Sequence, residues 1–248
     1  MAFDFNGTTD RADWANPYSI PSNNNEAIST ACWWYPDSVA ADQYLWCVHQ
    51  SGDTAVAFLA NNLGGGDLQI YRETRRRNTS GAGFVTGSWQ HVCCTLTATN
   101  AGTGIRVFRN GVETSYGTAV NDNTVPAGAG SWSVGGRIFD DTRNLNGRLA
   151  GFGYWNRVLD NFEIPALALG YHPLCFPRGL KWAPDLIRAQ RDYVSGQTGT
   201  LDGTAVIEHP SVIFPKSTII VGKTTAVPTV SLIYRAPFTS SFGAIIGR

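Results

Sequence analysis

Retaining hydrolysis of a glycosidic bond needs two carboxylates roughly 5 Å apart, so the glutamates are the first residues to weigh. There are five: Glu26, Glu73, Glu113, Glu163 and Glu208. None has a second acid at i+2 or i+4 on a strand-like run. Glu26 and Glu163 stand where a strand and a helix open, positions that capping explains. No Gly-x-Ser-x-Gly elbow, His-Glu-x-x-His pair or phosphate-cradling glycine loop occurs. His49 and His91 lie in strand-like runs, and His172 and His209 each precede proline, so all four read as structural. The five cysteines contain no C-x-x-C pair. Cys93 and Cys94 are adjacent, so on a strand they point to opposite faces. They read, with Cys32 and Cys47, as reduced core residues. The expectation is a protein with no catalytic residue, no cofactor and no metal centre. Asp10 with Asp13, or Asp140 with Asp141, are where oxygen ligands for calcium would come from.

Binding is the chemistry left standing. Sugar sites combine an aromatic face with a few placed polar groups. Trp14 and Tyr18 sit in the turn-rich stretch DRADWANPYS and are the predicted platform. The stretch DDTRN supplies Asp140, Asp141, Arg143 and Asn144 as predicted polar partners at the rim. Trp33, Trp89, Trp132 and Trp155 fall in strand-like runs and are assigned to the core.

The elements that must position these residues are strands. The chain has 248 residues, 19 basic and 19 acidic, with 27 glycines and 12 prolines. A formal net charge of zero excludes a phosphate-neutralising nucleic-acid binder. At 43% hydrophobic it can bury a core and is not a disordered chain. No apolar run approaches the roughly 18 residues of a membrane span. Apolar runs at 28–35, 45–49, 55–59, 68–71, 89–97, 105–109, 131–137 and 149–155 predict strands, with turn residues between them. Asn110-Gly111 marks a tight hairpin. The run 89–97 is apolar on both faces, as a central strand is. The basic run Arg72, Arg75, Arg76 and Arg77 is placed in a loop. Helices are predicted at 160–169, opened by Asp160 with Glu163 in capping-box spacing, and at 184–193. The opening residues MAFDFNGTTD hold no basic stretch followed by an apolar one, so no export signal is expected.

The chain resembles the laminin-G-like, concanavalin-A-like jelly rolls, especially the single-domain versions of bacterial and phage proteins. The resemblance is carried in order by FDFNGTTD (3–10), ISTACWWYP (28–36), GSWQHVCCTL (87–96), RVFRNGVE (106–113), WSVGGR (132–137) and LNGRLAGFGYWNRVLDNFEIPALALGY (145–171). The family's paired acids after Asn-Gly-x-Ile are Ala150-Gly151 here, which removes that oxygen-ligand pair. The resemblance implies an all-β, two-sheet antiparallel jelly-roll sandwich with one or two short helices, spanning 1–173. Residues 174–210 are expected to form an irregular extension packing on it. Residues 211–248 contain no acidic residue and are read as an extended apolar arm. Its pairing candidates are Ile219, Ile220, Val221, Leu232, Ile233 and Tyr234. A domain of a type found outside cells, without an export signal, fits release by lysis. The expectation is therefore a non-enzymatic virion protein, a phage capsid, decoration or tail-associated subunit whose partners are other subunits or copies of itself. The alternative is a lectin-like module that attaches to surface glycans. Neither nucleic acid nor membrane is expected as a partner.

Overall fold

The computed structural model describes residues 2–20, 26–39, 41–50, 53–60, 67–72, 75–81, 84–98, 101–120, 130–138, 143–184, 186, 191–202, 204–206 and 210–215. The arm candidates between 219 and 234 lie outside them, as do Asp140 and Asp141.

Strands occupy 51% of the described residues, which decides for the jelly-roll sandwich over any helical architecture. Sheet A joins β1 (Ala2–Asn6), β3 (Ile28–Pro36), β8 (Gln90–Leu96), β9 (Ile105–Arg109), β10 (Val112–Glu113), β13 (Asn146–Trp155), β14 (Leu180–Trp182) and β16 (Thr204–Val206). Their order is β10-β9-β8-β3-β13-β1-β16, with β14 pairing β13. Sheet B joins β2 (Arg11–Ala15), β4 (Gln43–Gln50), β5 (Asp53–Ala60), β6 (Leu68–Arg72), β7 (Arg75–Thr79), β11 (Tyr116–Val120), β12 (Ser131–Val134) and β15 (Thr200–Asp202). Their order is β11-β7-β6-β5-β4-β12-β2-β15. All of these strand pairs are antiparallel.

Alternation along each strand sends every second residue into the space between the sheets. Ile28, Cys32 and Trp34 of β3 and Val92, Cys94 and Leu96 of β8 face Trp46, Val56, Phe58, Ile70 and Trp132 of sheet B. Trp132 is the hub, with Tyr154 at 4.8 Å and Trp182 at 4.9 Å, both edge-on. Edge-to-face contact suits the aromatic quadrupole and adds to the area buried.

A second, smaller core lies on the outer face of sheet A. Ala31, Cys93, Phe108 and Trp155 are covered there by Leu159, Ile164, Leu167, Leu180 and Ala183. The cover is built on α1 (Glu163–Ala168). Its start is the predicted capping box: Asp160 Oδ1 accepts the Glu163 N–H at 2.9 Å and Glu163 Oε2 accepts the Asp160 N–H at 3.0 Å. Cys94 faces the main core and Cys93 the second one, as their adjacency requires. The Asn110-Gly111 hairpin has φ of 50° and 81° at its two central residues. A Cβ on Gly111 would also come within 3.1 Å of Pro165 Cα, so the turn lies against α1.

Four expectations are corrected. The arginine run is a hairpin, not a loop: Tyr71 pairs Arg76 and Arg72 pairs Arg75. Arg77 holds the strand down, donating to the Ile105 carbonyl at 2.7 Å with its guanidinium 3.6 Å from the Tyr116 ring centre. The described residues of 184–193 make no helix. Pro184 bridges Asp192, and the buried Asp192 carboxylate accepts the N–H groups of Ala183, Val194 and Ser195 at 2.7, 3.2 and 2.6 Å. Those bonds draw residues 192–196 into a turn, and residues 185 and 187–190 of the expected helix lie outside the described residues. The stretch 174–210 supplies β14, β15 and β16, which pair β13, β2 and β1. The first residues assigned to the arm lie on the domain itself. Ile213 N–H donates to Gly170 O at 2.6 Å, and Phe214 stacks on His172 at 4.4 Å.

Candidate functional site

The predicted platform is not a platform. Trp14 is 1% exposed and sits edge-on to Trp182 at 5.2 Å. The reason is alternation on β2: Arg11 and Asp13 point outward and pair at 2.9 Å, which turns Ala12 and Trp14 inward. Tyr18 is half-buried against the same core, with its hydroxyl donating to Glu26 Oε1 at 2.5 Å. Arg143 lies over sheet B, donating to the Tyr44 hydroxyl at 3.0 Å. Asn144 is buried, and its amide donates to the Thr8 carbonyl. The structure brings none of these four together as an open aromatic face.

The acids expected to be inert are engaged. Glu113 accepts from Arg106 at 2.6 Å and from Tyr116 at 2.9 Å. Glu163 is held by Arg157, and Glu26 by Tyr18. Arg106 and Arg157 hold the carboxyls of Glu113 and Glu163 below the ordinary glutamate value. A general acid needs the opposite shift. Asp10 closes its own turn: its Oδ2 accepts the Asn6 N–H at 3.2 Å. Asp13 is tied to Arg11 on the outer face of sheet B, so the two do not share an ion site. Among the described residues, no group of three or more His, Cys, Asp or Glu side chains is arranged to hold a metal.

The outer face of sheet B carries a buried polar knot. Cys47 Sγ lies 2.9 Å from both His49 Nε2 and Ser133 Oγ, and donates to the Gly136 carbonyl at 3.2 Å. Ile138 N–H donates to His49 Nε2 at 3.2 Å. That bond requires a lone pair on Nε2, so the ring carries its proton on Nδ1. Burial pushes the Cys47 thiol up to about 12, which favours the protonated thiol. The knot fastens residues 136–138 to β4.

The open aromatic face is on sheet A, beyond the part that α1 covers. Trp33 and Trp89, assigned to the core from sequence, are both half-buried. Trp34 and Gln90 occupy the inward positions, so their neighbours must face out. Register then aligns two rows. Trp33 lies opposite His91, the rings 5.4 Å apart. Next to them Trp89 and Tyr35 sit 5.5 Å apart, Tyr35 pairs Arg148, and Arg148 pairs Asp4. The Arg148 guanidinium stands 4.6 Å from the Tyr35 ring centre. Its Nε is 3.7 Å from Asp4 Oδ1, and the two side chains are 22% and 35% exposed. The small residues of β13 let it lie close beside β3 under these rows. A Cβ on Gly147 would meet the Tyr35 carbonyl at 2.3 Å, so only glycine lets β13 approach β3 there. Gly151, which stands where the resemblance places an acid, leaves the edge of Trp33 clear: a Cβ there would lie 3.6 Å from Trp33 Cδ1. Burial raises the Asp4 carboxyl, Arg148 lowers it, and Asp37 and Asp10 raise it further. The signal for this surface was the Trp33-Trp34 pair, since adjacent residues on a strand point to opposite faces and only one of the two tryptophans can enter the space between the sheets.

A family model for the concanavalin A-like lectin/glucanases superfamily matches residues 6–165. Among solved structures, the heptameric SAP-like pentraxin of Limulus polyphemus superposes with a TM-score of 0.59 at 14% identity, covering 82% of this chain and 92% of that one. A candidate carbohydrate binding protein from Bacteroides ovatus superposes with a TM-score of 0.59 at 15% identity, covering 82% of this chain and 58% of that one. At such identities the likeness establishes the fold. No curated protein matches the chain by sequence.

Proposed function

The chain belongs to the concanavalin A-like lectin/glucanases superfamily, and from that membership we propose that it is a non-catalytic carbohydrate-binding module. The observation that carries the reading is the half-buried set Trp33, Tyr35 and Trp89 on the outer face of sheet A, flanked by Arg148 and Asp4. Flat aromatic rings take the apolar face of a pyranose, and a few polar groups at the margin fix its orientation. A catalytic reading would need a paired acid and nucleophile, whereas Glu26, Glu113 and Glu163 are each committed to a structural partner. A glycan array with the wild-type chain, repeated with Trp33→Ala and Trp89→Ala, tests the proposal. Hits that both changes weaken support it. An empty array, or hits indifferent to both changes, refutes it.

Service as a virion subunit is a second reading. Leu169, Tyr171, Ile213 and Phe214 are 74%, 41%, 45% and 38% exposed. Apolar side chains exposed in one neighbourhood favour a protein partner. Mass spectrometry of purified particles, asking whether the chain is stoichiometric, tests it; absence from particles overturns it.

A further inference from the structure

We infer that His91 is a ligand-binding residue of the sheet A surface, and that the ligand meets it with a sugar hydroxyl, so that the glycan bound there is a neutral one. This rests on the carbohydrate-binding reading and names the polar contact and the ligand class at that site. Three successive rows cross β8 and β3. Cys93 and Ala31 lie under the cover built on α1. His91 and Trp33 form the next row, at the margin of that cover, and Trp89 and Tyr35 form the open one. The Asn110-Gly111 turn stands at the β8 end of the His91 row. Asn110 Oδ1 accepts the His91 N–H at 2.9 Å, and the Asn110 N–H donates to the His91 carbonyl at 2.8 Å. The turn lies against Pro165 and Ala168 of α1. At the other end Trp33 is half-buried, and Gly151 puts no side chain over its edge. The row is therefore closed at His91 and open at Trp33.

The ring at the closed end has polar capacity to spare. Asn110 satisfies the backbone of His91 but not its imidazole: the residue is 2% exposed, and its Nδ1 has no hydrogen-bond partner among the described residues. Trp89 Nε1, two residues back, is likewise buried without a partner. The indole of Trp155, on the same face but under the cover, donates to the Phe176 carbonyl at 2.8 Å. A buried polar atom left unmet is unfavourable, and a ligand that supplies the partner removes that cost. Burial pushes His91 down to about 3, so the imidazole is neutral at ordinary pH, with one N–H and one lone pair. A hydroxyl complements it in either tautomer, accepting from the N–H or donating to the lone pair. A carboxylate or an ammonium would lose hydration there against a group with no charge to offset the loss. The His91 and Trp33 rings are 5.4 Å apart, so a sugar on Trp33 brings the hydroxyls of its rim to His91.

The test uses the full chain. Tetrasaccharides of glucose, mannose, galactose, xylose and arabinose are titrated beside a galacturonate and a glucosamine tetrasaccharide. A neutral probe should bind, and the two charged ones should not. His91→Phe keeps a flat ring and removes both nitrogens. It should weaken the tightest neutral probe roughly tenfold without lowering the melting temperature. His91→Gln restores a donor and an acceptor and should recover part of that loss. A readout on the unmutated chain stands beside them: with histidine labelled by nitrogen-15, the saturating neutral probe should move the ring-nitrogen signals of one histidine, and that response should be missing from His91→Gln. Three results would overturn the inference while sparing carbohydrate binding: unchanged affinity in a folded His91→Phe, ring nitrogens of His91 unmoved by a bound neutral probe, or binding of a charged probe more tightly than any neutral one. Failure of every probe would sink the underlying reading as well.

Discussion

Arg157 and Glu163 face each other as a two-pronged pair, with Nη1 to Oε2 at 2.6 Å and Nη2 to Oε1 at 2.5 Å. Both side chains are 16% exposed. Arg157 also donates from Nε to the Arg178 carbonyl at 2.7 Å, so the pair clamps the end of β13, the start of α1 and the approach to β14. Glu163→Gln keeps the capping geometry and loses the charge. It should cost about 1–3 kcal/mol of stability and leave glycan binding unchanged. The folded carboxyl titrates below its unfolded value. The pair's contribution is therefore whole above the unfolded value and lost as pH falls through the folded one. The gap in melting temperature between wild type and Glu163→Gln should narrow as pH falls below the ordinary glutamate range and close once it has passed the lowered folded value. A gap of constant size from neutral to acid pH would show that the pair carries no charge-dependent stability.

Trp14→Ala should unfold the protein more than it should affect any ligand. A fully buried tryptophan truncated to alanine typically costs about 3–5 kcal/mol. Trp14 also has a tight fit to its neighbour: a Cβ on Gly199 would approach its indole to 2.4 Å. Chemical denaturation of the variant checks this. A midpoint equal to that of the wild type would mean that Trp14 is not a core residue.

The thiols should separate into two classes. Cys32, Cys47, Cys93 and Cys94 are buried, and Cys175 is half-buried. Burial also raises the Cys175 thiol, though it remains the accessible one. An aromatic disulfide reagent should titrate one thiol in the native protein and all five after denaturation. Rapid reaction of a second native thiol would mean that one of the strands bearing these residues opens readily.

The chain up to Phe214 forms one compact unit. A chain ended at Pro215 keeps the Ile213 bridge to Tyr171 and the Phe214 stack on His172. One ended at Pro210 loses both. The first should melt with the full-length protein, and the second a few degrees lower, as about 1 kcal/mol implies for a domain of this size. If residues 216–248 serve assembly, the Pro215 chain should also be monomeric and fail to join particles. Identical melting of the two shortened chains would show that residues 211–215 do not stabilise the domain.

The sandwich was legible because its longer strands alternate or run apolar: Ile28–Pro36, Gln90–Leu96 and Ile105–Arg109 lie within a residue or two of their expected bounds. The short strands were not legible. RRRNT in β7 has no apolar alternation, and its place depends on pairing with β6 on one side and β11 on the other. RADWA in β2 reads as a turn until its partners are known, and only then does Trp14 turn inward. The aromatic surface failed for a related reason. Its rows are assembled by register across β8, β3, β13 and β1. No local pattern says which of Trp33 and Trp34 faces water; the neighbours on both sides decide it. Asp4 and Arg148 gave no signal at all, since a lone acid and a lone base mean nothing until β1 and β13 align them.

The edge where β15 meets β2 and β16 meets β1 has a kinetic meaning. Asp202 pairs Arg11 and Thr204 pairs Asp4, so two strands made late in synthesis dock on the two made first, one in each sheet. At typical synthesis rates of about 5–20 residues per second, β1 and β2 wait on the order of ten seconds or more for those neighbours to be made. During that interval both sheets present unpaired backbone along the same side, the template on which nascent β proteins stick to one another. Molecules stalled before residue 200 should therefore be the aggregation-prone species, and loss of β15 and β16 should reduce soluble yield more than it reduces the stability of the molecules that do fold.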